Sequence, residues 1–144
     1  MAKDNDIVRL ARGWLATPYR HQASLKHVGC DCLGLIRGVW RERFGEEPEV
    51  PPAYSPDWAE AGLDETLMNA GRRHLIEIPL LVFEKGDVLL FRWKPHLPAK
   101  HAGIATSRAT MIHAQEGVAV SEVPLSAWWL KNLAYAFRFP ESLT

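Results

Sequence analysis

The sequence lacks a net charge, because seventeen Lys and Arg residues balance seventeen Asp and Glu residues. No global electrostatic field therefore favours binding to nucleic acid. The sequence also lacks any run that approaches the roughly 20 apolar residues of a membrane span. Cysteine is scarce, with two copies in 144 residues, and both lie in one short run. We therefore expect neither a nucleic-acid partner nor a membrane-spanning segment.

The N-terminus lacks the apolar core of a secretory signal. Charged side chains interrupt "MAKDNDIVRLARGWLA" at Lys3, Asp4, Asp6, Arg9 and Arg12. We therefore expect synthesis in the cytoplasm without a signal peptide. If the protein acts outside the cell, something other than its own signal must carry it there.

What is present predicts a single domain covering residues 1–144, because 47% hydrophobic residues in a chain of this length can bury one core. Apolar residues recur at helical spacing in residues 5–16, and Thr17-Pro18 is expected to stop that helix. A second helix is predicted from Asp31 to Gly45. A third covers residues 57–70, after an extended, proline-rich connection.

The second half of the sequence has the pattern of an antiparallel sheet. Short apolar or alternating runs follow Gly86-Asp87, with a brief helix predicted at 126–131; the runs are "VLLFRW", "AGIAT", "TMIHAQ", "VAVSEV" and "AYAFRF". Helices come first and strands later. The predicted fold class is therefore α+β, with N-terminal helices packed on one face of a C-terminal antiparallel β-sheet.

The run "GCDCLGLIRGVW" contains both cysteines and allows several interpretations. A disulfide between Cys30 and Cys32 would close a very tight loop, against the usual Cα separation of about 4.4–6.8 Å. A zinc site would need two more ligands, and His21 and His27 lie near in sequence. Alternatively, Cys32 is a nucleophile in the first turn of a helix capped by Asp31, with its pKa lowered by the helix dipole. The plain alternative is a small core residue.

A nucleophilic cysteine needs a base, and two of the six histidines lie in predicted strands. These are His101 and His113, which neighbouring antiparallel strands could bring into contact. His101 could then take the proton of Cys32, while His113 fixes the orientation and tautomer of the His101 ring. Each could instead be a half-buried histidine without a catalytic role.

In their order along the chain, these features resemble the NlpC-type cysteine peptidases of the papain-like superfamily. Five stretches carry the resemblance: "TPYRHQ" (17–22), "DCLGLIRGVW" (31–40), "GDVLLF" (86–91), "HAGIA" (101–105) and "MIHA" (111–114). The resemblance is closest to the phage-tail branch, which includes peptidases encoded with tail genes of phages and gene-transfer agents. That branch is indicated by the runs "TPYRHQAS", "GCDCLGL" and "YSPDWAE".

The resemblance implies a papain-like NlpC-type fold and a cysteine endopeptidase that works through a thioester intermediate. Its substrate would be the peptide stems of peptidoglycan, commonly cut next to γ-linked D-glutamate. Cys32 would be the nucleophile, His101 the general base and His113 the orienting residue. Tyr19 would lie by the nucleophile and help stabilise the oxyanion, and we place Asp31 on the same oxyanion and substrate side. The implied mechanism uses no metal and no cofactor.

The phage-tail resemblance implies that the protein is incorporated into a tail-like particle and contacts tail or baseplate proteins. Candidate docking surfaces are the Trp128-Trp129 pair and the proline-rich segment near Tyr54, each with a plain core or loop alternative. Two other functions stay open at this stage. One is a structural tail protein with weak or lost catalysis, and the other is an acyltransferase or amidase that uses the same Cys-His-His triad on another substrate.

Overall fold

The computed structural model of the protein describes residues 2–49 and 64–141. Its helical part precedes the main sheet and contains a small hairpin between the first two helices. The helices are α1 (Ala2–Arg12), α2 (Cys32–Phe44) and α3 (Thr66–His74), and the hairpin strands are β1 (Ser24–Leu25) and β2 (Gly29–Cys30). None of the helices among the described residues is long and apolar enough to cross a membrane.

The second part is a six-stranded antiparallel sheet. Its strands are β3 (Ile76–Ile78), β4 (Val88–Phe91), β5 (His101–Ala105), β6 (Thr110–Gln115), β7 (Val118–Pro124) and β8 (Leu133–Arg138). Across the sheet their order is β3-β8-β4-β5-β6-β7. A 3-10 turn, Leu80–Val82, precedes β4, and a short helix, α4 (Ala127–Lys131), precedes β8. The predicted α+β class is confirmed.

Both faces of the sheet are covered, so its central strands are buried on two sides. Side chains of α1 and α2 pack against one face around fully buried Trp14, Leu35 and Ile104. A smaller apolar cluster around Phe91 and Met111 covers the other face. All four residues of β4 are buried, which explains its continuous apolar run rather than an alternating one.

Several element boundaries differ from the sequence-based predictions. α1 ends at Arg12 rather than at residue 16, because the chain turns after Gly13 and reaches a left-handed conformation at Ala16, with φ of 72°. α3 begins at Thr66 and continues past the predicted end to His74. Residues 64 and 65, which belong to the predicted helix, are not helical, while its residues 57–63 and most of the proline-rich connection lie outside the described residues. The β1–β2 hairpin and β3 were missed, because strands of two or three residues are too short to give a periodic signal.

The segment after α1 joins the helical part to the far edge of the sheet. The Ala16 amide donates to the carbonyl of Val120 at 2.9 Å, and the Val120 amide donates to the carbonyl of Thr17 at 2.9 Å. Val120 lies in the middle of β7, the last strand in the sheet order. These bonds therefore hold the residues before the β1–β2 hairpin against the sheet.

Candidate active site

The first turn of α2 presents Cys32 at a well-capped helix start. Asp31 has extended backbone angles, and its Oδ1 accepts the Gly34 amide at 2.7 Å, as an N-cap should. Its Oδ2 accepts the Gln22 amide at 2.8 Å. One carboxylate thus ties the helix start to the preceding loop, and the predicted N-cap is confirmed. A contact between Asp31 and substrate stays a prediction.

Backbone pairing places Tyr19 beside this helix start. The Cys30 amide donates to the carbonyl of Pro18 at 3.0 Å, and the Arg20 amide donates to the carbonyl of Cys30 at 3.0 Å. Tyr19 and Cys30 are thereby bridged in parallel. The loop that carries Tyr19 is consequently held against the two residues that precede Cys32.

A close backbone approach fixes the distance between this loop and α2. A Cβ at Gly34 would lie 1.9 Å from the carbonyl oxygen of Ala23, which is far inside any real contact. The Asp31 amide also donates to that carbonyl, at 3.3 Å. Glycine at position 34 is therefore required for the helix to begin where it does.

The Cys32 thiol lies against the first residues of β5. Its sulfur is 3.9 Å from the carbonyl oxygen of Lys100. The Ala102 amide approaches it closely enough to favour the thiolate through a hydrogen bond. Lys100 and Ala102 flank His101, so the nucleophile reaches the strand at the position of the candidate base.

The two histidines form a buried pair, both only 4% exposed. Nε2 of His101 and Nδ1 of His113 are 2.8 Å apart. Gly103 pairs with His113 across β5 and β6, so His101, two residues earlier on the same face, is the diagonal neighbour. A Cβ at Gly103 would lie 2.7 Å from Sδ of Met111 and 3.4 Å from Cβ of His113. The glycine thus keeps the space beside the pair open.

Trp93 and Trp129 pack on this histidine pair. The Trp129 ring is nearly parallel to that of His101, with centroids 5.4 Å apart, and meets His113 edge-on at 5.2 Å. Trp93 lies 4.9 Å from the His101 ring. Sequence reasoning missed this role and offered Trp128-Trp129 only as a docking or core pair. An indole beside the site is a tertiary contact that no spacing in the sequence indicates.

Burial sets the resting charges of the candidate catalytic groups. It raises the pKa of Cys32 to about 12, with a further contribution from the negative charge of Asp31. Burial also lowers the pKa of His101 to about 3, helped by His113, and that of His113 to about 4. The expected lowering of the Cys32 pKa by the helix dipole is therefore wrong in direction. Desolvation outweighs the dipole, so burial favours the neutral thiol and the neutral imidazole.

Tyr19 keeps its proton at neutral pH. Burial, followed by the nearby Cys32 and Asp31, raises its pKa to about 12. A neutral phenol is a hydrogen-bond donor. Tyr19 can therefore donate to negative charge that develops beside Cys32.

The two cysteines differ in position, and neither forms a disulfide. Cys30 is fully buried in the core cluster between the helices and the sheet. Burial, with Asp31 as the second cause, raises its pKa to about 12. Cys30 packs inside the core. Cys32 instead begins α2, beside the start of β5.

The described residues contain no group of three or more His, Cys, Asp or Glu side chains placed to hold a metal ion. An apolar cavity of about 250 Å³ lies between α2, α3 and the sheet. Leu33 and Ala102, the chain neighbours of Cys32 and His101, contribute to its wall. Among the described residues, the side chains of Cys32, His101 and His113 are not part of that wall.

The buried Cys32 thiol at a helix start contacts the backbone on either side of His101, and His101 is paired with His113. A thiol, an imidazole and a second polar group that orients the imidazole are the groups of a cysteine nucleophile with its base. The chain belongs to the NlpC/P60 family, whose sequence profile matches residues 16–138. A comparison with curated protein sequences finds no match.

Solved structures support the same fold. The NlpC/p60 domain of the peptidoglycan hydrolase SagA is 22% identical, with a TM-score of 0.65, over 94% of this chain and 98% of that one. An NlpC/P60 family protein from Bacillus cereus is 19% identical, with a TM-score of 0.68, over 94% of this chain and 40% of that one. The peptidoglycan hydrolase RipB from Mycobacterium tuberculosis is 16% identical, with a TM-score of 0.62, over 97% and 66%. The chain therefore spans well under half of the B. cereus protein.

Proposed function

We propose that the protein is a cysteine endopeptidase that cleaves amide bonds in the peptide stems of peptidoglycan, next to γ-linked D-glutamate. The observation that carries the proposal is the Cys32 thiol against the start of β5, where His101 and His113 pair at 2.8 Å. Membership of the NlpC/P60 family supports it. Further support comes from SagA and RipB, two structural relatives that are themselves peptidoglycan hydrolases.

We infer that proton transfer accompanies attack, because burial favours the neutral thiol and the neutral imidazole. His101 accepts the Cys32 proton at Nδ1 as the sulfur bonds to the substrate carbonyl carbon, because its Nε2 is engaged with His113. The tetrahedral oxyanion then collapses, the C–N bond breaks, and His101 returns the proton to the leaving amine. Water, deprotonated by the same imidazole, attacks the thioester and releases the acid and the Cys32 thiol.

We assign the stabilisation of the oxyanion to two donors near Cys32. The Cys32 amide begins α2, where first-turn amides have no acceptor inside the helix. The protonated Tyr19 hydroxyl supplies a second donor from the loop bridged to Cys30. Such preorganised donors are typically worth about 10²–10³ in rate each.

We also infer that the protein works as a component of a phage-like tail, made in the cytoplasm and carried to the cell wall in the assembled particle. The support is the run of motifs shared with the phage-tail branch, from "TPYRHQAS" to "GCDCLGL". Co-purification of the protein with tail particles would support this setting. Particles that lack the protein and still open the wall normally would contradict it.

The activity is tested by digesting purified peptidoglycan and identifying the new amino termini by mass spectrometry. The wild-type protein should release termini from the residue that follows γ-linked D-glutamate. Cys32→Ala should abolish the release, whereas the matched variant Cys30→Ala should keep most of it, because Cys30 lies in the core. Equal loss in both variants would contradict the assignment of the nucleophile. Turnover of small acyl donors without cleavage of peptidoglycan would instead identify an acyltransferase or amidase.

A further inference from the structure

Three tryptophans form an aromatic surface beside the histidine pair, called here the indole surface: Trp93, Trp128 and Trp129. Their ring centroids lie 4.9 Å apart for Trp128 and Trp129, 6.0 Å for Trp93 and Trp128, and 6.1 Å for Trp93 and Trp129. Trp128 is 46% exposed. Buried Phe91 supports Trp129 from below, in an edge contact at 4.9 Å. The surface is thus open to solvent but built on a packed base.

The indole surface lies on one side of His101. Trp93 and Trp129 are 4.9 Å and 5.4 Å from the imidazole and 6.1 Å from each other. These three distances make a compact triangle, so the two indoles are neighbours and do not sandwich the imidazole between them. From there the aromatic surface continues outward through Trp128 into solvent.

The direction of the chemistry determines which part of a substrate meets this surface. The acyl part bonds to Cys32, while the amine part receives its proton from His101. The residue that carries the new amino group must therefore lie beside Nδ1 of His101, whose ring contacts Trp93 and Trp129.

We propose that Trp93 and Trp128 form the binding subsite for that amine-side residue and select an aliphatic side chain there. The inference rests on the proposed endopeptidase function. Indole faces offer a large apolar area at low conformational cost, so each methylene placed against them strengthens binding. Trp129 packs on both histidines and on Phe91, whereas Trp93 packs on His101 and Trp128 is exposed, so we assign the substrate contact to Trp93 and Trp128.

The first experiment compares two synthetic stem peptides that differ only in the amine-side residue, norleucine in one and alanine in the other. The wild-type protein should cleave the norleucine peptide with a kcat/KM about tenfold higher. Trp128→Ala should reduce this ratio to near one, while Trp128→Phe should keep part of it. Leu130→Ala is the matched control, because Leu130 is 47% exposed in the same short helix and is not an aromatic contact of the site. An unchanged ratio in Trp128→Ala overturns the proposal.

A second measurement separates this inference from the proposed function. Norleucine amide and glycine amide are titrated into the Cys32→Ala protein, and the indole N–H signals of the six tryptophans are followed by NMR. Norleucine amide should shift the Trp93 and Trp128 signals, and glycine amide should not. Binding without cleavage of either peptide would refute the endopeptidase proposal and keep the subsite. Cleavage at equal rates, with no selective shift, would refute the subsite and keep the endopeptidase.

Discussion

The helical part and the sheet hold their shares of the catalytic centre in different ways. Cys32 is placed by irregular contacts, namely one carboxylate, a loop backbone and a glycine. His101 and His113 are placed by the register of two adjacent strands. Strand register gives the histidines a repeated, cooperative support. The nucleophile instead depends on a few single interactions, each of which one substitution can remove.

The two parts also differ in what surrounds their reactive groups. Around Cys32, the carboxylate of Asp31 adds to burial in raising the pKa of the thiol. Around His101, burial, followed by the neighbouring His113, lowers the pKa of the imidazole. Both environments therefore favour the neutral form of the buried group. Substitutions and changes of pH can perturb one part of the molecule at a time.

The largest expected effect comes from the sheet side, at His113. General-base catalysis at Nδ1 of His101 requires a hydrogen on its Nε2, which then donates to Nδ1 of His113. His113→Ala leaves that buried N–H without its acceptor and frees the ring to turn. We expect kcat to fall about 10³-fold, equivalent to about 4 kcal/mol. The measurement is kcat on a stem peptide.

The matched variant is His113→Asn, whose side-chain oxygen can accept the same hydrogen bond and should restore part of the rate. The unfolding free energy of both variants is measured alongside, so that a loss of fold is recognised. Full activity in His113→Ala would remove the orienting role from His113.

The helical side is tested at Gly34. Gly34→Ala would place a Cβ 1.9 Å from the carbonyl oxygen of Ala23, so the loop or the helix must shift. We expect a loss of about 3 kcal/mol in the free energy of unfolding, as for severe overpacking. Gly13→Ala is the control, because its nearest neighbour is the flexible end of Lys26. If urea denaturation gives the two variants equal stability, the close approach at Gly34 is not a constraint.

Acid should weaken the sheet side first. The folded pKa values of His101 and His113 lie below the unfolded value of about 6.5, so the unfolded chain binds more protons as the pH falls. Their contribution to stability is complete above pH 6.5 and is lost toward their folded pKa values. We expect a loss of about 2 kcal/mol for one such group between pH 7 and pH 5. Chemical denaturation at a series of pH values measures it.

The His113→Asn variant serves as the control and should show a shallower loss over the same range. The carboxylate of Glu65 does not account for a loss of stability between pH 7 and pH 5. Although burial opposes it, the ion pair with Arg92 lowers the pKa of Glu65, so its contribution is lost only at more acid pH. A wild-type stability that is flat from pH 7 to pH 5 would show that the histidines are not buried as neutral groups.

The smallest effect concerns the charge beside the nucleophile. Asp31→Asn removes a negative charge that raises the pKa of Cys32 but keeps one oxygen for the helix cap. We expect alkylation of Cys32 at pH 8 to become about tenfold faster, measured in a Cys30→Ala background. Stability should fall by about 1 kcal/mol. Asp6→Asn, an exposed carboxylate of α1, is the control and should change neither value.

Local signals in the sequence predicted the parts of the site that depend on neighbours in the chain. Asp31 followed by an apolar helical stripe predicted the helix start and its cap, and both are present. Apolar runs predicted β5 and β6, and the two histidines lie in them as expected. The assignment of their catalytic roles stays a prediction.

Other features depend on contacts between distant residues, which a single sequence does not determine. The diagonal placement of His101 and His113 follows from the pairing of Gly103 with His113. The direction of the Cys32 pKa shift follows from how deeply the packed fold buries the thiol. The helix dipole favours the thiolate, but its effect on the pKa of Cys32 is smaller than that of desolvation. Trp129 joins the site through a fold that brings residues 93, 101, 113 and 129 together.

The bonds between Val120 and the segment after α1 have a consequence for how the protein behaves at high concentration. Strands at the ends of a sheet offer unpaired amides and carbonyls to other chains, which is a common route to aggregation. In the middle of β7, Ala16 binds the carbonyl of Val120 and Thr17 binds its amide. A strand from a second molecule cannot pair along that edge without displacing them. The segment between α1 and the β1–β2 hairpin thus also protects this edge of the sheet from pairing with another copy.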